Sequence, residues 1–186
     1  MNNRNTASAI KSARTALLND MSRNAQKITS IPKFCKTIWE WNGDFLAIDE
    51  STAISLAWDN PHTVVYSIRP IVGDEKEEQK KLQEQMSMRI REQIIPDVLA
   101  NRIEEIRMPD IERIKAISKG TNVICLETCG HSHKKQEIYV NAKRLMRIDN
   151  AMPTANVFLS AYCGKQCIIY VDNQNGEIAV LMGLQL

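Results

Sequence analysis

What this chain lacks narrows its chemistry before anything it contains. It has no excess of one charge: 24 Lys and Arg stand against 22 Asp and Glu, and a formal net charge of +2 does not by itself mark a nucleic-acid binder. Any such claim must rest on where the basic residues lie. No apolar run reaches the ~20 residues that span a membrane, and the polar N-terminus carries no apolar leader core. The seven glycines are scattered, and none belongs to a Gly-rich loop that could cradle phosphates. The five cysteines are an odd number, which with the missing leader predicts a reducing cytoplasm rather than a disulfide framework. At 186 residues the chain is expected to form one domain, or one domain with an insertion, and can bury an adequate core.

Over residues 6–28 apolar side chains recur at Ile10, Ala13, Leu17, Met21, Ala25 and Ile28, the spacing of a helix with one buried stripe, and Pro32 stops it. Residues 36–41 and 44–48 flank Asn42-Gly43, a type I′ hairpin signal because both central positions of that turn need positive φ. Further strands are expected over 53–58, 63–68 and 121–126. Between 74 and 107 the composition changes: DEKEEQKKLQEQMSMRIREQ is nearly all helix-former, with charges of both signs. Leu82, Met86, Ile90 and Ile94 form a row at i, i+4, too narrow for a deeply buried helix. Pro96 is expected to break this helix, with a second short one over 97–107. The segment reads either as a solvated surface insertion or as a docking arm for a partner or neighbouring subunit. No internal repeat is legible.

Cys125, Cys129, His131 and His133 lie within nine residues of one another, with Cys163 and Cys167 further on. Thiolates and imidazoles suit zinc, but C-x3-C and H-x-H are loose spacings for a tetrahedral site. On a strand, cysteine also serves as a small apolar residue. His131 and His133, beside Gly130 and two lysines, read as an exposed hairpin loop. A zinc-containing nucleic-acid-binding protein is the alternative this cluster leaves open. Cys129 with His131 lacks the third group that orients a catalytic base, and Asp49 and Glu50, adjacent on a strand, point to opposite faces. The chain reads as a non-enzyme with no cofactor.

On a helix beginning at Asn141, the residues Leu145, Ile148, Asp149 and Met152 define one side, and Lys143, Arg144 and Arg147 group on the other. That second side is expected to be positive and exposed. Arg23 and Lys27 are likewise one turn apart on the first helix, away from its apolar stripe. Taken alone, such faces read as ordinary solubility.

Residues 137–186, EIYVNAKRLMRIDNAMPTANVFLSAYCGKQCIIYVDNQNGEIAVLMGLQL, add a pattern. Asn141, Ala142 and Leu145 open an Asn-Ala-x-x-Leu helix that closes at Asn150 and Ala151. Val157, Leu159, Ile168 and Ile169 fall on two following strands, and Val180, Leu181, Met182 and Leu186 form a closing strand. In that order these parts resemble the end of the bacterial DNA polymerase sliding clamp, the beta subunit. Gly183 and Gln185 stand where the family commonly has Pro and Arg. Upstream, IPKFCKTIWEWNGDFLAIDESTAI (31–54) resembles a family stretch ending in Thr-Asp-Gly: Pro32 and Asp49 agree, while Ile48 and Glu50 replace Thr and Gly. MPDIERI (108–114) resembles the family's Phe-Pro-Asp-Tyr-x-Arg-Val linker.

The resemblance implies an α+β clamp fold over 1–186: two helices on one face of a curved antiparallel sheet whose outer side faces solvent, with a helical insertion over 74–107. It implies that the two helices line a central hole, where Lys143, Arg144, Arg147, Arg23 and Lys27 would meet the phosphates of double-stranded DNA without reading bases. It also implies a pocket for clamp-binding peptides, with Val180, Met182 and Leu184 on one wall and Ile48, Ser51 and Thr52 on the other, the second wall coming from a neighbouring subunit. The family carries three such domains per chain and this chain has room for one, so six copies could pair edge to edge into a ring. The implied function is a DNA-encircling processivity or tethering factor that recruits a polymerase or nuclease, a stand-alone form suggesting a phage, prophage or plasmid origin. The alternative is a non-ring clamp mimic or binding module for the host clamp or its clients.

Overall fold

The computed structural model describes residues 7–25, 38–41, 44–49, 51–57, 73–130 and 135–185. The strand expected over 63–68 and the residues Lys27, His131 and His133 lie outside them. The helices are α1 (Ala7–Ala25), α2 (Asp74–Met88), α3 (Ile95–Ala100), α4 (Ile111–Lys119) and α5 (Ala142–Ala151). The strands are β1 (Ile38–Trp41), β2 (Asp44–Ile48), β3 (Thr52–Ala57), β4 (Ile106–Arg107), β5 (Val123–Thr128), β6 (Glu137–Asn141), β7 (Asn156–Tyr162), β8 (Lys165–Asp172) and β9 (Glu177–Met182). No helix among the described residues is long and apolar enough to cross a membrane.

The larger sheet is antiparallel in the order β1-β2-β3-β9-β8-β7. That order mirrors itself about the seam where β3 pairs with β9, with Ala53 opposite Val180. Each half is a helix followed by a three-stranded meander, α1 with β1 to β3 and α5 with β7 to β9. Trp41 pairs with Asp44, so the first hairpin has the two-residue connection that Asn42-Gly43 calls for. In the second half Tyr162 pairs with Lys165 across Cys163 and Gly164, both at positive φ, 49° and 74°. Leu17, Leu18 and Met21 of α1 and Leu145 and Ile148 of α5 bury against Ile54, Leu56, Ile168, Tyr170 and Leu181 on the inner face of the sheet. The side chain of Asn141 caps α5 by accepting the Arg144 N–H at 2.9 Å, satisfying a donor the helix leaves unpaired.

The smaller sheet, β4-β5-β6, is joined to the larger one along β7. There the Ile103 N–H donates to the Leu159 carbonyl, and the Leu159 N–H to the Glu104 carbonyl, each at 2.8 Å. After β9 the chain turns onto β6: the Gly183 N–H donates to the Gln166 carbonyl at 2.9 Å, and the Leu184 N–H to the Tyr139 carbonyl at 2.7 Å. Gly183 is needed at this crossing. A Cβ there would lie 2.9 Å from the Gln166 carbonyl oxygen and 3.1 Å from the Ile138 side chain.

Two expectations are corrected. Pro96 does not break the helix. Over Arg89–Ile94 the chain takes a π-helical turn, and the Ile95 N–H bonds the Ile90 carbonyl five residues back. The wider turn gives room to a ring that lacks an N–H and would strike the carbonyl four residues back in an α-helix. The helix after it ends at Ala100, and Ile106–Arg107 is strand. Secondly, the outer face of the sheet is not left to solvent. Ile94 and Val98 pack on Ala53, Cys167, Ile169, Val171 and Val180, while Ile90 packs on Leu46. The apolar row of this segment is deeply buried at its C-terminal end, because the strands beneath are apolar on both faces. The Ser160 hydroxyl fastens it by donating to the Val98 carbonyl at 2.5 Å. The MPDIERI stretch leads into α4: Asp110 stands at its N-cap position, and Ile114 is fully buried.

Candidate peptide pocket and its charged frame

A cavity of about 250 Å³ opens on the outer face at the β3–β9 seam. Its floor is Ala53, Val180 and Met182, with Ile48, Ser51 and Thr52 on the side of the β2–β3 turn. The π-helical turn contributes Arg89 and Ile94, and the β7–β8 hairpin contributes Tyr162, Cys163 and Lys165. The volume falls below the ~300–1,000 Å³ of clefts for drug-sized molecules and suits one or two apolar side chains. Five of the six pocket residues drawn from the sequence therefore surround one space. Leu184 does not join them, because the Gly183 crossing sends it to β6.

Both walls belong to one chain. The Ile48, Ser51 and Thr52 wall was expected from a neighbouring subunit, but β3 hydrogen-bonds directly to β9, and the Met182 N–H donates to the Ser51 carbonyl at 2.8 Å. Alternation along the strands then sets the faces: Ala53 and Val180 point outward into the pocket, while Ile54 and Leu181 point into the core.

The lip of the pocket is held by Asp49. Its Oδ1 accepts the Ser51 N–H at 3.0 Å and the Thr52 N–H at 2.9 Å, a side-chain turn that fixes the β2–β3 connection. Its Oδ2 faces Arg144 Nη2 at 2.8 Å. Burial pushes the Asp49 carboxyl above its usual range, against the pull of Arg144 and the two amides. Arg144 also reaches Asp20 of α1, Nη1 to Oδ2, at 2.9 Å. Arg144 Nη1 and Asp49 Oδ2 lack the alignment of a hydrogen bond, so these contacts act as charge pairing. Burial would raise the Asp20 carboxyl, but Arg147 and Arg144 outweigh it and hold it below its usual range.

This frame overturns the exposed basic face expected on α5. The side chain of Arg144 is only 10% exposed and lies between two carboxylates. Arg147 is ion-paired with Asp20. Helical periodicity put both on the polar side, and the acids of α1 and the β2–β3 turn then closed over that side. Lys143 and Arg23 are exposed.

The cysteine and histidine cluster is only partly described. Cys125 is half-buried on β5 and Cys129 is exposed. No group of three or more His, Cys, Asp or Glu among the described residues is placed to hold a metal. Cys167 is buried under the helices of the outer face, and burial pushes its thiol up to about 11. Reading the sequence missed Ala53, Arg89, Ile94, Tyr162, Cys163 and Lys165 as pocket residues, and noted Asp49 without placing it there. For Ile94 the i, i+4 row was the available signal; for the others nothing local marks them.

No family profile and no curated protein matches the chain. Among solved structures it is similar to a DnaN sliding clamp (DNA polymerase III subunit beta) from Bartonella birtlesii, crystallised with griselimycin, at a TM-score of 0.38 and 11% identity, over 94% of this chain and 65% of that one. The chain thus spans less than two thirds of that protein's length. A likeness of that strength is one of outline and assigns no residue a role.

Proposed function

We propose that this chain is a clamp-like binding module, not an enzyme, whose pocket at the β3–β9 seam receives the apolar anchor of a partner protein's peptide segment. One observation carries the reading. Ile48, Ser51 and Thr52 come from one stretch resembling the clamp family, Val180 and Met182 from another, and all five line one cavity. The partners that fit are those of a clamp: a polymerase, a nuclease or another clamp-binding protein. The segment over 74–107 is an insertion that closes the outer face of the sheet and builds a third wall of the pocket. The DNA-encircling ring is less well supported, because sliding on phosphates needs a free cationic helix face. Here Arg144 and Arg147 are committed to Asp20 and Asp49.

Fluorescence polarisation with a labelled peptide containing two leucines and a phenylalanine tests this. Met182→Ala should weaken binding by about 1–3 kcal/mol, as for loss of a buried anchor contact. A wild-type protein that binds no such peptide refutes the module. Retention on closed circular DNA with loss from linear DNA would favour the ring instead.

A further inference from the structure

The lip of this pocket is positive while its floor is apolar. Arg89 and Lys165 line it, both are exposed, and no carboxylate is paired with either among the described residues. Asp49, the one carboxylate among the described residues of the lining, is turned away: Oδ1 is taken by the amides of Ser51 and Thr52, and Oδ2 by Arg144. It cannot neutralise the lip.

Both cations are aimed there by unusual backbone. Arg89 and Ile94 are five residues apart, which in an α-helix would set them ~140° from each other around the axis. In the π-helical turn over Arg89–Ile94, bonding from i to i+5 brings positions five apart onto one face, as i and i+4 share a face in an α-helix. Ile94 can therefore enter the apolar floor while Arg89 stands above it. Lys165 follows a two-residue turn in which Cys163 takes φ 49°, a conformation uncommon for a residue other than glycine. That turn places Lys165 in the lining, across the strand pair from Tyr162.

We propose that the pocket selects acidic peptides: an apolar anchor side chain with an aspartate or glutamate within one or two residues of it, its carboxylate held by Arg89 and Lys165. This rests on the pocket being a peptide site. The two cations are the specificity-determining residues, and the segment that carries Arg89 is the part of the chain that sets partner choice. Exposed charge pairs are individually weak, so the selection is modest, about three- to tenfold for the two together.

The test uses three labelled, C-terminally amidated probes, Gly-Leu-Glu-Leu-Phe and its Gln and Lys counterparts, titrated into wild type and an R89Q/K165Q double variant. Both substitutions are at exposed positions, so the variant should keep the wild-type melting curve. Wild type should prefer Glu over Gln by about three- to tenfold and Gln over Lys, with the preference shrinking as salt rises. The double variant should lose the preference between the Glu and Gln probes. An R89E/K165E variant should prefer the Lys probe. Equal binding of the Glu and Gln probes by wild type, or a preference that survives in R89Q/K165Q, overturns the proposal and leaves the peptide pocket standing. Binding of none of the probes overturns the pocket with it.

Discussion

Arg144 of α5 stands between Asp20 of α1, at 2.9 Å, and Asp49 at the end of β2, at 2.8 Å. It therefore ties the second half of the molecule to the first at the turn that forms the pocket lip. The mirrored position has a counterpart. Arg14 of α1 reaches Glu177 at the start of β9, at 2.6 Å, and so ties the first half to the second. The turns themselves correspond. Asp49 accepts the N–H groups two and three residues on, and Asp172, at the end of β8, accepts those of Gln174 at 2.9 Å and Asn175 at 3.4 Å. Each half thus carries an aspartate-locked turn and receives an arginine from the helix of the other.

Removing Arg144 should cost far more than removing its exposed neighbour. Arg144→Ala leaves Asp49 buried without its counter-charge, and such a loss typically costs about 3–5 kcal/mol. Lys143→Ala should stay within about 0.5 kcal/mol of wild type. Urea unfolding of the two variants decides it, and equal small effects would mean that Arg144 is not the buried brace described.

Arg14→Ala should strand Glu177 in the same way. Arg14 also donates to the carbonyls of Ala151, at 3.2 Å, and Ala57, at 3.4 Å, so one side chain serves α5, β3 and β9. A loss of about 3–5 kcal/mol is expected. Because burial already pushes the Glu177 carboxyl up, the Arg14→Met, Glu177→Gln double variant should recover part of that loss. A double variant no more stable than Arg14→Ala would contradict an uncompensated charge as the cause.

Asp172 supplies a pH signature. Burial would raise its carboxyl, but hydrogen bonds from Thr154, the Gln174 amide and Asn175 prevail and hold it below its usual range. A carboxyl depressed on folding stabilises the protein above its unfolded value, ~3.9, and that contribution disappears as the pH falls through the folded value. Asp172→Asn should therefore be less stable than wild type by about 1–3 kcal/mol at neutral pH. The gap should narrow as the pH drops from ~5 to ~3. Melting temperatures across that range provide the check, and a gap that stays constant would remove the assignment.

Gly183→Ala should displace the tail from β6. Its new methyl group would meet the Gln166 carbonyl oxygen at 2.9 Å, and backbone cannot yield as a side-chain tip does. A cost of about 1–3 kcal/mol is expected, with faster amide exchange at Leu184, whose N–H bonds the Tyr139 carbonyl. Unchanged exchange at Leu184 would show that the crossing tolerates a Cβ.

Local pattern by itself determined α1 and the hairpin strands β1 and β2, while the start of α5 at Asn141 and the strands of the last fifty residues were marked by the resemblance. Helical spacing, a turn dipeptide, a capping side chain and strand alternation each act over a few residues, so each can be read in place. The resemblance of two short stretches to the clamp family also pointed to five residues that line the cavity. Only the tertiary structure decided the rest. Periodicity put Arg144 and Arg147 on the polar side of α5, but whether a polar side faces water or an acid depends on what packs there, and Asp20 and Asp49 lie far off in the chain. The row Leu82, Met86, Ile90 and Ile94 shows that a helix has an apolar edge, not which surface it covers. Its π-helical turn and its seat on the sheet follow from Pro96 and from strands whose second face is also apolar. The mirrored halves leave no sequence repeat, since packing requires apolar residues of suitable volume at matching places rather than the same residues.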